Sequence, residues 1–125
     1  MITVFSSAGC PFAHRTRALL NYMHEPFELR EVDLDHRDPE LLRLSPTGKV
    51  PFLLDGDFRV FESRVINDYL AEKYGSGNAY AEDVEVRALQ KLLMNQWDSV
   101  ILPAFYASLR QPASFDEELR TSLAQ

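Results

Sequence analysis

Ile2-Thr3-Val4-Phe5-Ser6-Ser7-Ala8-Gly9-Cys10-Pro11-Phe12-Ala13 carries a change of conformation within a dozen residues. The β-branched and aromatic run Ile2–Phe5 favours a strand, and the small residues Ser6 to Gly9 favour a loop. Pro11 suits the first turn of a helix, where its missing N–H costs nothing. Phe12, Ala13, Ala18, Leu19, Leu20, Tyr22 and Met23 supply the apolar positions of that helix, and Pro26 marks its end. Phe27, Leu29 and Val32 then roughly alternate with Glu28, Arg30 and Glu31, as a second strand does. Two strands joined through a helix are expected to pair in parallel, with a right-handed crossover.

Outward from this unit, Asp38-Pro39-Glu40 starts a short helix carrying Leu41, Leu42 and Leu44, and Ser45-Pro46-Thr47-Gly48 ends it. Val50 to Leu54 reads as a buried strand. Asp55-Gly56-Asp57 turns the chain, and Phe58, Val60 and Phe61 return in a hairpin. Glu62-Ser63 opens an amphipathic helix with Val65, Ile66, Tyr69, Leu70 and Tyr74, which Gly75 and Gly77 stop. The order β-α-β-α-β-β-α over residues 1–75 predicts an α/β domain with a four-stranded mixed sheet. Residues 76–82 read as a linker. From Asp83, apolar residues from Val84 to Ile101 recur at near-helical spacing, predicting a long helix that Pro103 kinks. Pro112-Ala113 breaks it. Ser114-Phe115-Asp116-Glu117 has the pattern of a capping box, opening a further helix with Leu119 and Leu123 on one face.

The totals narrow the function classes. The chain has 125 residues and 46% hydrophobic content, enough for a real core. The formal net charge of −6 argues against a general grip on nucleic acid phosphates or anionic lipid. A single cysteine excludes a disulfide framework within the chain and leaves a structural zinc site without its usual thiolates, so no metal is expected. The first residues lack the pattern of a signal peptide, and no apolar run is long enough for a membrane span. A reducing cytoplasm suits a lone thiol.

That thiol belongs to Cys10, at the strand-to-helix turn. A helix N-terminus presents unpaired N–H groups and partial positive charge, and both stabilise a thiolate. A buried, inert cysteine is the plainer alternative. Ala13 stands where a C-x-x-C pair would have its second sulfur, so a mixed disulfide on Cys10 needs a thiol from outside to resolve it. Val50-Pro51 enters the third strand. A cis bond there would leave the N–H and C=O of Val50 for an extended, peptide-like ligand. Ser63 is either a helix cap or, through its N–H and hydroxyl, a site for a ligand carboxylate. Glu62 beside it suits a ligand ammonium group. A ligand with one thiol, an internal peptide bond and an α-amino acid end would satisfy these positions together.

Three segments carry a resemblance. Cys10-Pro11-Phe12-Ala13-His14-Arg15-Thr16-Arg17, Ser45-Pro46-Thr47-Gly48-Lys49-Val50-Pro51-Phe52-Leu53 and Phe61-Glu62-Ser63-Arg64-Val65-Ile66-Asn67-Asp68-Tyr69-Leu70 resemble the N-terminal domain of the glutathione transferase superfamily. The first is most similar to the omega class and its bacterial relatives. Residues 83–125 resemble, less specifically, the beginning of the family's all-helical domain, which is incomplete.

The resemblance implies a thioredoxin-like fold, a cis peptide before Pro51, backbone pairing of glutathione at Val50 and γ-glutamyl recognition by Glu62 and Ser63. Cys10 matches the omega-type cysteine that forms a mixed disulfide with glutathione. The implied activity is glutathione-dependent thiol transfer, with glutathione as co-substrate and a disulfide or electrophilic acceptor. Conjugation of glutathione to electrophiles is the alternative, as is a regulatory module like stringent starvation protein A. Ser6 and Ser7 keep a serine-type role open. Phe12 is expected beside the ligand. Lys49 is favoured over Arg37 for the glycine carboxylate. The three histidines read as surface residues, and Trp97 as core or as part of an acceptor site. Family members usually dimerise, so a homodimer is expected, with neither nucleic acid nor membrane as partner.

Overall fold

A computed structural model describes residues 1–76, 79–110 and 115–124, with the backbone alone for 115–119. The chain divides into two compact units, Met1–Ala79 and Tyr80–Gln125.

In the first unit, strands β1 (Ile2–Ser6), β2 (Phe27–Glu31), β3 (Phe52–Asp55) and β4 (Phe58–Phe61) form one sheet in the order β2-β1-β3-β4. The β1 and β2 strands pair in parallel, as a helical crossover requires, while β3 runs antiparallel to both β1 and β4. Helices α1 (Pro11–Tyr22), α2 (Pro39–Leu44) and α3 (Ser63–Tyr74) complete a thioredoxin-like β-α-β-α-β-β-α unit.

The period-2 alternation of the strands divides the core in two. Val4, Leu53 and Val60 stand in one cross-strand row, and with Ile2 they pack against Leu20 of α1 and Ile66 and Leu70 of α3. Phe5 and Phe52, one residue away, point to the other face and meet Val32 and Leu41 of α2. Their rings lie 5.7 Å apart, centroid to centroid. Asp38 caps α2 by accepting from the Glu40 N–H at 2.8 Å. Arg30 of β2 pairs with both Asp38 and Glu40, tying α2 to the sheet edge.

Two features differ from expectation. The third strand begins at Phe52 rather than Val50. Pro51 has no N–H for the ladder, so the strand starts after it; the Val50–Pro51 bond is cis. The second unit holds α4 (Val84–Gln96), a π-helical segment (Trp97–Ile101), α5 (Leu102–Arg110) and α6 (Phe115–Ala124), so the expected long helix is interrupted ahead of Pro103. The Leu102 N–H donates five residues back, to the Trp97 carbonyl. The wider turn comes where the Pro103 ring would otherwise meet the carbonyl four residues before it. Asp83 caps α4, accepting from the Val86 N–H at 3.0 Å. Trp97 is half-exposed rather than core. Pro112-Ala113, the Ser114 capping box and the Leu119 side chain lie outside the described residues. No helix among the described residues is long and apolar enough to cross a membrane.

A polar hub holds α3 to the β3–β4 hairpin. One carboxylate oxygen of Asp55 accepts from the Tyr69 hydroxyl (2.6 Å), the Tyr74 hydroxyl (2.6 Å) and the Lys73 ammonium (2.7 Å). Burial alone would raise the Asp55 pKa, but these three donors outweigh it and hold the carboxyl down at about 2. A carboxyl depressed in the folded state contributes stability above its unfolded pKa of about 3.9, and loses it as pH falls through the folded value. Thermal unfolding should therefore show a loss of about 1–2 kcal/mol between about pH 4.5 and pH 2 that is absent in Asp55→Asn. An unchanged acid limb in that variant would remove Asp55 as its source.

Candidate functional site

The end of β1, the start of α1, the loop before β3 and the start of α3 lie at one end of the sheet's two central strands, where Phe5 pairs with Phe52. Cys10 immediately precedes α1 in an extended conformation (φ −93°, ψ 112°), with Pro11 as first helical residue. Its N–H donates to the Ser7 carbonyl at 3.0 Å, and its carbonyl accepts the first helical hydrogen bond from His14 at 3.0 Å. No acidic side chain stands in the first turn of α1 to oppose a thiolate. The thiol is half-buried, and its Sγ lies 3.9 Å from the Val50 carbonyl oxygen.

Val50 belongs to a loop that organises itself. Ser45 Oγ accepts from the Thr47 N–H at 3.3 Å and the Gly48 N–H at 3.1 Å. The Lys49 N–H donates to Thr47 Oγ1 at 3.2 Å. Gly48 has φ +64°, a left-handed conformation that glycine takes without cost. Arg37 donates to the Gly48 carbonyl at 2.6 Å, which is where this guanidinium is engaged.

Glu62 turns β4 into α3. It has φ 69°, unusual for a residue with a Cβ, and occupies the cap position without a side-chain capping bond. Ser63 is thus the first residue of α3 rather than its cap, and is buried. Further along, Thr16 Oγ1 donates to Asn67 Oδ1 at 2.9 Å in the buried seam between α1 and α3, holding the two helices in register.

These elements enclose a cavity of about 230 Å³. Phe12, Lys49, Val50, Pro51, Glu62 and Ser63, all singled out from the sequence, line it. Thr47 and Phe61 line it as well and were not foreseen. Their signal was position alone, each being next but one to or beside a residue already chosen. Cys10 is not among the lining residues; its Sγ lies 3.9 Å from the carbonyl oxygen of Val50, which is one of them. Ser6 is fully buried on the same sheet face as Ile2 and Val4, so its hydroxyl is closed to a ligand, whereas Ser7 is partly exposed. His14, His24 and His36 are exposed. No cluster of three or more His, Cys, Asp or Glu suited to a metal ion occurs among the described residues.

The model of the glutathione S-transferase N-terminal domain matches residues 9–73, just over half of the chain. The chain belongs to the glutathione S-transferase family. It is 46% identical over 70 residues to glutathione S-transferase F10 of Arabidopsis thaliana, a match covering 52% of this chain and 33% of the relative. It is 30% identical over 122 residues to the stringent starvation protein A homolog of Haemophilus influenzae, covering 98% of this chain and 56% of that one. The chain thus spans between a third and just over half of these relatives' lengths. Among solved structures, glutathione transferase Omega 1C from Trametes versicolor shares the fold, with a TM-score of 0.83 at 24% identity over 97% of this chain and 56% of that one. A glutathione transferase homolog from Burkholderia GL BGR1, solved with bound glutathione, gives a TM-score of 0.72 at 29% identity, over 88% of this chain and 63% of that one.

Proposed function

We propose that this glutathione S-transferase family member binds glutathione in the cavity beside Cys10 and carries out thiol transfer through a mixed disulfide on that residue. The observation that carries the reading is the Cys10 thiol, 3.9 Å from the Val50 carbonyl on the wall of that cavity. In this reading the cysteinyl backbone of glutathione pairs with Val50 as a short added strand, which brings its sulfur toward Cys10. The γ-glutamyl end meets Glu62 and the N-terminus of α3 at Ser63. The glycine end lies toward Lys49, and Phe12 and Pro51 close the apolar wall.

The chemistry balances with glutathione as reductant. The Cys10 thiolate attacks the glutathionyl sulfur of a mixed disulfide between substrate and glutathione. A sulfur–sulfur bond to Cys10 forms, and the substrate leaves as a thiolate that takes up a proton. A second glutathione thiolate then attacks the glutathionyl sulfur on Cys10. This releases oxidised glutathione and regenerates the Cys10 thiolate. The substrate sulfur is thus reduced to a thiol and the one incoming glutathione thiol is oxidised, its partner in the new disulfide being the glutathionyl group already carried by the substrate.

Incubation with oxidised glutathione followed by mass spectrometry tests the step directly. One glutathionyl group should appear on Cys10 and leave on addition of reduced glutathione. Absence of the adduct, with glutathione binding retained, would favour conjugation to electrophiles. Absence of both would favour the non-enzymatic regulatory reading, which the match to the stringent starvation protein A homolog over 98% of the chain keeps as a second candidate. The proposal places the protein in a reducing cytoplasm and as a homodimer. Size measurement in solution checks the latter.

A further inference from the structure

The geometry points to Arg37 as a positioning residue that holds the cavity's loop wall in place, a role that rests on the glutathione-binding reading. Arg37 lies between β2 and α2 and does not itself line the cavity. Its Nη1 donates to the Gly48 carbonyl at 2.6 Å. Gly48 sits between Thr47 and Lys49, and these two with Val50 and Pro51 supply half of the cavity lining.

The loop grips Gly48 from both sides. Ser45 Oγ takes its N–H from within the loop, and Arg37 takes its carbonyl from outside. The left-handed backbone at Gly48, φ +64°, sets the direction of that carbonyl. A Cβ on Gly48 would stand 2.9 Å from Leu42 Cδ2, so the loop also lies close against α2. Losing the guanidinium leaves the loop its internal Ser45 and Thr47 bonds but removes this external tie. A charged donor to a carbonyl is stronger than a neutral one. Its loss should therefore loosen the backbone that carries Lys49 and Val50.

The rival role is direct pairing of the exposed guanidinium with the ligand's glycine carboxylate. The two roles separate by ligand. A loosened loop misplaces the Val50 backbone, which serves the cysteinyl part of the ligand. Arg37→Ala should then weaken glutathione and γ-glutamylcysteine, which lacks the glycine, by a similar factor of about five. In ligand-free protein, hydrogen exchange at the Gly48 and Lys49 amides should quicken in the variant while the sheet amides keep their protection. Unchanged exchange at those two amides would overturn the proposal, as would a loss confined to glutathione. Should the unsubstituted protein bind neither ligand, the reading of the cavity fails, and the exchange measurement still decides whether Arg37 holds the loop.

Discussion

Cys10→Ser is expected to abolish glutathione-dependent disulfide reduction while leaving glutathione affinity within about twofold. The nucleophile in thiol–disulfide exchange is a thiolate, and a serine hydroxyl cannot take its place. Removal of an essential nucleophile costs about three orders of magnitude or more. The small effect on binding follows from how the proposed contacts are divided. The Val50 backbone, Glu62, the α3 N-terminus and Lys49 belong to other elements and line the cavity, while Cys10 is not among its lining residues and its 3.9 Å contact is to the Val50 carbonyl, within the protein. Serine also suits a helix cap, so the turn into α1 should persist. A reductase assay and calorimetric titration on both proteins give the two numbers. If the serine variant conjugates aromatic electrophiles at an unchanged or higher rate, and the unsubstituted protein performs no thiol transfer, conjugation becomes the preferred reading.

What could be read from the chain before its structure divides along physical lines. Strand β1, helix α1 and strand β2 were legible because Pro11, Pro26 and the apolar spacing are local signals, and parallel pairing followed from the helical connection. Elements whose form depends on neighbours were not. Pro103 announces a disturbance, yet the response is a π-helical segment beginning six residues earlier, because the backbone relaxes where the ring meets the preceding turn. Ser63 looked like a cap because Ser is a favoured one, but the cap position falls at Glu62 through a φ of 69° that its residue type does not advertise. Ser6 looked available as a loop residue. Strand β1 extends through it instead, and its parity with Ile2 and Val4 turns it into the core.

The candidate cavity gathers six residues already named from the sequence, and its lining adds Thr47 and Phe61. Cys10, Val50-Pro51 and Glu62-Ser63 stand at element boundaries, where sequence punctuation and chemistry coincide. Thr47 enters the cavity from a loop, where no periodicity governs side-chain direction, and Phe61 from the last residue of β4, opposite Phe52. The buried Thr16–Asn67 bond joins residues 51 apart in sequence, and neither one alone signals the other.

Glu62→Ala should weaken glutathione binding by about tenfold or more relative to Lys49→Ala. Both side chains are exposed and both border the cavity, so exposure does not separate them. Backbone fixation does. Glu62 is held between β4 and the first turn of α3, its carbonyl accepting from the Ile66 N–H at 2.9 Å. Its carboxylate caps no N–H of that helix and remains for the ligand's ammonium group. Lys49 carries its charge on a long flexible stem whose ordering costs entropy. Hydrogen bonds to a positioned charged group are worth about 1.5–3 kcal/mol, while exposed ion pairs are worth about 0–1 kcal/mol. The difference corresponds to about tenfold in dissociation constant. Calorimetric titration of the two variants at one ionic strength decides the order. Equal losses would mean that the γ-glutamyl end is not read at Glu62, and a greater loss for Lys49→Ala would move the dominant contact to the glycine carboxylate. Raising the salt concentration should weaken the Lys49 contribution first, since an exposed pair is the more readily screened.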